Sequence, residues 1–157
     1  TNVFKKRTFN KSIQGKKMKK LSFILAAMLS VAAFSAQADV VTAQKLADKY
    51  AVIAKNISPA STGLSSEDGK AFFNRELTIK GKPVACASCH TANPADTGKH
   101  VVTGKPIRPL APAANEKRFA SIDKVEKNFT KHCNDIIGRD CTAQEKGNFI
   151  AYLLTVK

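Results

Sequence analysis

Cys86-Ala87-Ser88-Cys89-His90 carries the most chemistry in this 157-residue chain. It is a Cys-x-x-Cys-His pattern, the attachment signature of c-type haem. Two thiols separated by two residues can reach the two vinyl groups of one porphyrin and form thioethers. The histidine follows directly, which brings its imidazole under the iron as the proximal ligand. A bare Cys-x-x-Cys also serves as a redox dithiol or as half of a zinc site. A zinc site needs further Cys or His ligands at regular spacing. The other two cysteines, Cys133 and Cys141, read better as a pair.

The N-terminus names a compartment in which thioethers and disulfides can form. Met18-Lys19-Lys20 is a short basic start, Leu21 to Phe34 is an apolar run, and Ala36-Gln37-Ala38 is a small-x-small cleavage site. That order is a secretory signal peptide, with removal expected before Asp39. The apolar run is too short for a permanent membrane span. Residues 1–17 precede the initiator candidate Met18 and are read as upstream sequence outside the natural product. The signal peptide then covers 18–38 and one domain covers 39–157. The expected location is the periplasm.

Removal of the leader changes the charge argument. The whole chain has 26 Lys+Arg against 12 Asp+Glu, and eight of those bases lie before residue 21 with no acid among them. The remaining 18 bases and 12 acids give residues 39–157 a net charge of +6. So diffuse a charge on an exported protein argues against nucleic acid as a partner. A mildly basic surface suits docking to an acidic redox protein. The 119 residues after Ala38 support one modest core.

Four helices are expected around the motif. Over 41–57, Leu46, Tyr50, Ile53 and Ile57 recur at helical steps, and Ser58-Pro59 ends the run. Ser65 and Ser66 can cap a second helix near 66–76, which presents Phe72, Phe73 and Leu77. Residues 78–120 hold five of the six prolines and little periodicity, so they read as a long coil beside a cofactor that supplies the missing packing surface. A third helix spans about 121–136. A fourth starts at Thr142, where Thr142 and Glu145 form a capping box ahead of Phe149, Ile150, Leu153 and Leu154. Strand signals are weak throughout, and the expected fold class is all-α.

On a continuous helix Cys133 and Cys141 would stand about 12 Å apart, against roughly 4.4–6.8 Å for a disulfide. The helix must therefore break between them, and Gly138 is a natural stop. In an oxidising compartment the two read as a disulfide that secures the turn between helices, with a redox-active dithiol as the alternative. The sixth iron position is the sharper question. The only methionines, Met18 and Met28, fall in the leader, so Met is excluded as an axial ligand of the mature chain. His100 lies in a Gly/Lys loop and reads as an exposed side chain. His132 falls on a stripe with Ile122, Val125, Phe129 and Ile136, at steps of three, four, three and four. A histidine on an apolar stripe needs a partner, either the iron or a structural hydrogen bond.

From Cys86 to Leu154 the chain resembles the SHP-type (sphaeroides haem protein) cytochromes c. After the haem motif the resemblance rests on Thr103-Gly104-Lys105, Pro109-Leu110-Ala111-Pro112, Arg118-Phe119 and Lys124-Val125-Glu126-Lys127. It continues through Cys133-Asn134, Ile137-Gly138-Arg139-Asp140-Cys141-Thr142 and Glu145-Lys146. It implies a class I-like cytochrome c fold around one covalent haem c, a Cys133–Cys141 disulfide, and a sixth ligand just before Cys133. In the family's name-giving member that ligand is an asparagine. It leaves the iron on reduction, and the open site binds dioxygen or nitric oxide. Family partners are a dihaem cytochrome c and a membrane b-type cytochrome. This chain departs at the ligand position, where it has His132, and imidazole holds iron more firmly than an amide. Two functions therefore stay open: a periplasmic electron carrier with bis-His iron, and an oxygen- or nitric oxide-binding haem protein whose sixth ligand detaches on reduction. No acid–base constellation supports an enzyme such as a peroxidase.

Overall fold

The computed structural model describes residues 39–157, so the readings of 1–17 and 18–38 lie outside it. Helix α1 occupies 39–57 and α2 occupies Ser66–Asn74. A hairpin follows, with strands β1 (Leu77–Ile79) and β2 (Lys82–Val84), and then the short helix α3 (Ala87–His90). A second hairpin pairs β3 (Gly98–Lys99) with β4 (Pro106–Ile107), and α4 (Ile122–Ile137) and α5 (Ala143–Thr155) complete the chain.

Each long helix starts and stops for a local reason. The Ser65 hydroxyl accepts from the Asp68 N–H, with Glu67 and Asp68 in the first turn of α2. Ser121 does the same for α4 through the Lys124 N–H, and α4 ends at Gly138. Gly138 takes φ 79°, and its N–H donates to the carbonyls of Cys133 and Asn134. Thr142 and Glu145 form the full capping box of α5. Arg139 clamps the Glu145 carboxylate with two bonds of 2.7 and 2.8 Å. These bonds, with the Thr142 N–H, hold the Glu145 carboxyl below its usual range.

Two details differ from the sequence expectations. Helix α2 stops at Asn74, with Arg75 in extended backbone, so Leu77 lies in β1 rather than on the helix. Ile57 keeps the helical spacing of α1 but is 76% exposed, because that end of the helix has run past the core. The stretch from 78 to 120 is also less bare than a coil. It contains two small hairpins, of which the first turns through Lys80 and Gly81, both at positive φ.

The core forms where α1, α2, α4 and α5 meet, with Leu46, Tyr50, Phe73, Ile150 and Leu153 buried. Gly69 lets α2 cross α5 closely. A Cβ at that position would run into the Asn148 carbonyl and the Tyr152 side chain. Just beyond the crossing, Phe73 stacks against both Phe149 and Tyr152 at 6.0 and 5.7 Å. Phe149 in turn meets Phe129 of α4 edge-on, and Phe129 meets Tyr50 of α1. Glu126 of α4 takes Lys146 of α5 at 3.5 Å and Lys49 of α1 at 3.9 Å. The aromatic chain and this carboxylate together set the position of α4.

Gly69→Ala should cost about 1–3 kcal/mol in a denaturant titration, because overpacking against backbone has no cheap relief. The Glu145 carboxyl has a folded pKa below its reference value of 4.5, so its stabilisation is present above that reference and lost as pH falls through the folded value. Glu145→Gln should therefore destabilise the protein at pH 7. The gap between variant and parent should close as the pH drops below 4.5. A pH-independent gap would remove the Arg139 pair as its cause.

Candidate haem site

Helix α3 is one turn, and its spacing does the work. Cys86 is its N-cap in right-handed helical backbone, and its carbonyl accepts the N–H groups of Cys89 at 3.3 Å and His90 at 3.1 Å. The two thiols and the imidazole are thereby held on one short turn. The Ser88 hydroxyl accepts from the Ala85 N–H at 2.9 Å and steadies the entry. Thr91 at φ 62° ends the turn. Gly98 of β3 then passes directly against α3, where a Cβ would meet the Cys89 carbonyl and the His90 Cα. Pro94 accepts from the N–H groups of Leu110 and Ala111 at 2.8 and 3.0 Å, which straps the following loop back onto the motif.

These elements enclose an apolar cavity of about 410 Å³ whose walls include Phe72, Leu110, Phe119, Val125, Phe129 and Leu153. Cys86, Cys89 and His90 open onto it from α3, and His132 opens onto it from α4. Cys86 and Cys89 form no disulfide, and burial first of all pushes the Cys86 thiol pKa up. The His90 and His132 rings meet in an edge arrangement, with centroids 6.4 Å apart and planes inclined at 63°. Two imidazole–metal bonds of about 2.0–2.1 Å, with each ring centre about 1 Å behind its nitrogen, span roughly 6 Å. The residues therefore fit an iron gripped from both sides.

Proton placement supports the same fit. Burial, then the charges of Arg118 and His132, lower the His90 pKa to about 4, which keeps its ring neutral as a metal ligand requires. His132 Nδ1 lies 2.8 Å from the Asn128 carbonyl. A carbonyl only accepts, so Nδ1 carries the proton and Nε2 keeps its lone pair. His100 has the opposite arrangement. Its Nδ1 accepts from the Val102 and Thr103 N–H groups, both at 3.2 Å, so in the neutral ring Nε2 carries the proton. His100 also lines the cavity, and it is exposed. His132 is exposed as well, and it lines the same cavity.

Cys133 and Cys141 are joined, with Cα atoms 5.6 Å apart. The bond ties the residue after His132 to the residue before the α5 cap. Among the described residues no group of three or more His, Cys, Asp and Glu side chains converges as a metal cluster, which leaves the zinc reading of Cys86 and Cys89 without ligands.

Several contributors carry no sequence signal of their role. Arg118 is half-buried in the cavity wall, and its guanidinium donates to the carbonyls of Arg108 at 2.7 Å and Pro109 at 3.0 and 2.9 Å. Asn115 adds a bond to the same Pro109 carbonyl at 2.9 Å. These side chains substitute for secondary structure where prolines forbid it. A charge amid prolines has no periodicity to reveal it.

Residues 59–153 match a family model described as "Domain of unknown function (DUF1924)". Cytochrome c'' of Methylophilus methylotrophus is 56% identical over 137 residues, covering 87% of this chain and 95% of that protein. The cytochrome c-type protein SHP of Cereibacter sphaeroides is 40% identical over 104 residues, covering 65% and 79%. The crystal structure of oxidised cytochrome c'' from M. methylotrophus superposes with a TM-score of 0.72 at 60% identity, over 75% of this chain and 97% of that one. A solution structure of the same relative, concerned with the basis of haem-ligand detachment, gives 0.68 at 60% identity over 74% and 94%. Oxidised SHP, described as an oxygen-binding cytochrome c, gives 0.60 at 35% identity over 71% and 94%. With the motif and cavity above, these likenesses define a monohaem c-type cytochrome of all-α fold. Its cofactor is covalent haem c. The chain belongs to the family of cytochrome c'' and SHP.

The residues that would hold the haem are Cys86 and Cys89 through thioethers and His90 through iron. When bound, the haem supplies one-electron redox chemistry at the iron. In a host competent in cytochrome c maturation, replacing both Cys86 and Cys89 by Ala should abolish covalent haem staining on a denaturing gel. Replacing both Cys133 and Cys141 by Ala should leave it. Staining that survives the first pair or vanishes with the second would reverse the assignment.

Proposed function

We propose that this cytochrome is an exported electron carrier whose ferric iron is held by His90 and His132. The observation that carries the reading is the pair of rings on one apolar cavity, with centroids 6.4 Å apart and the Nε2 of His132 left free by the Nδ1 bond to Asn128. Export to the periplasm is supported by the leader sequence at 18–38 and by a disulfide, which persists in oxidising compartments. The mildly basic surface of residues 39–157 suits an acidic redox partner. A dihaem cytochrome c and a membrane b-type cytochrome are the partners by family resemblance.

A second reading has its own support. Among the described residues His132 is held by a single side-chain hydrogen bond, to the carbonyl one turn earlier, and it is exposed. The relatives include an oxygen-binding cytochrome and one in which haem-ligand detachment has been described. Rotation of His132 out of the cavity on reduction would open one face to dioxygen or nitric oxide. The anchors on either side of it, Glu126 and the Cys133–Cys141 bond, would hold α4 in place while the ring moved.

The test is optical. The ferric protein should be low-spin, as two imidazoles require. His132→Ala should turn it high-spin, and His100→Ala should leave the spectrum as it is. If His100→Ala were the variant that turned high-spin, the loop histidine would be the ligand. Adding carbon monoxide to the ferrous protein separates the two readings. A spectrum that ignores the gas supports the simple carrier, and rapid conversion supports detachment.

A further inference from the structure

The tip of the β3–β4 hairpin carries Val101 and Val102, which are 62% and 84% exposed. Turn tips are ordinarily built from Gly, Asn, Asp, Ser or Pro, which suit tight backbone. Two adjacent β-branched apolar side chains do not. The tip is also held to one shape. The His100 N–H donates to the Lys105 carbonyl at 2.9 Å, and the Gly104 N–H donates to the His100 carbonyl at 2.8 Å. His100 Nδ1 accepts from the N–H groups of Val102 and Thr103, and Thr103 Oγ1 accepts from the Lys105 N–H at 3.4 Å. Gly104 takes φ 69° in the same turn. An imidazole thus braces an exposed turn from beneath, and the two valines stand on an ordered base. Such preorganisation lowers the entropy lost when a surface is covered.

The hairpin stands beside the haem site. His100 and Ile107 line the cavity, and Gly98 at its root passes against the Cys89 carbonyl. The charge of this region has one sign. Of the 18 bases and 12 acids of residues 39–157, the stretch 77–112 holds five bases and one acid, a net of +4 in a total of +6. Lys99 and Lys105 are exposed on the hairpin itself, and the Lys99 side chain passes beside Gly104. Of the charged side chains that line the cavity, Arg118 and Lys131 are positive and Asp135 is negative.

We infer that the Val101–Val102 tip is the apolar centre of a docking site for an acidic redox protein, with Lys99 and Lys105 as its charged rim. An apolar centre inside a polar rim is the ordinary anatomy of a protein interface. The lysines steer the partner, and the valines are what it covers. A partner seated there is one short hairpin from Cys89. A second copy of the chain carries the same positive charge and is repelled. Two valines bury too little apolar area to anchor the protein on a lipid surface. The inference rests on the electron-transfer part of the function proposed above, and it adds the face used and the charge of the partner.

The experiment titrates ferric holo-protein with oxidised flavodoxin, a small acidic redox protein, at low ionic strength. No electron moves between the two, so only docking is read. Val101→Ser with Val102→Ser should raise Kd about tenfold and leave its salt dependence unchanged. Lys99→Glu with Lys105→Glu should raise Kd about tenfold or more and flatten its salt dependence. Lys45→Glu with Lys157→Glu makes the same change in net charge on segments that do not line the cavity, and should raise Kd less than about threefold. His100→Ala keeps the valines and the lysines but removes their brace. It should weaken docking while the haem spectrum stays that of the parent. A parent that does not bind flavodoxin, or valine and lysine variants that bind no worse than the Lys45/Lys157 control, would overturn the site. Sedimentation of the parent with phosphatidylglycerol vesicles, abolished by the serine pair, would overturn it too by making the tip a lipid contact. The optical test above decides His132 ligation and gas binding without any docking partner, so failure there is distinguishable from failure here.

Discussion

Two imidazoles, those of His90 and His132, open onto one apolar cavity from elements that share no backbone. His90 sits on a one-turn helix in the least regular part of the chain. His132 sits near the end of α4, 42 residues later. Much of the architecture can be read as the means of holding those two rings at 6.4 Å across an apolar space. Helix α4 is placed by Glu126 at one end and by the Cys133–Cys141 bond at the other, with Phe129 packed between them. Helix α3 is placed by its neighbours' backbone, above all by the close passage of Gly98.

The two sides of the cavity are built by different physics. On the α4 side, helix capping and aromatic packing do the work, and both are cooperative and periodic. On the α3 side, prolines remove donors and prevent long ladders, so single side chains bind single carbonyls. Arg118 and Asn115 converge on Pro109, Pro94 receives Leu110 and Ala111, and Asp39 receives Phe119. Such a web is satisfied one bond at a time. It lets the backbone follow the outline of a flat cofactor in a way that a sheet or a helix would not.

Electrostatics then sort the three histidines. His90 is kept neutral by burial and by the nearby Arg118. His132 is kept in the tautomer with Nε2 unprotonated by the Asn128 carbonyl, and His100 is turned to the other tautomer by the two N–H groups of its own turn. The same side chain thus acquires three characters from its burial and its hydrogen-bond partners, and neither composition nor spacing records them.

The sequence by itself determined the chemistry and the regular elements. Cys86, Cys89 and His90 announce a haem, and the apolar stripe through Phe129 and His132 marks a helix face. Ser121, Gly138, Thr142 and Glu145 mark helix ends through bonds of only three to five residues' span. Local spacing suffices there because the forces are local. Only the tertiary structure decided what depends on distant residues meeting. It showed that Leu77 leaves α2 for a hairpin, and that Ile57 overshoots the core despite its spacing. It also showed that Gly69 and Gly98 are contact points rather than breaks, and that Arg118 and Asp39 brace the cavity wall. Those roles come from contacts made across the folded chain, where a residue's neighbours in space are not its neighbours in sequence.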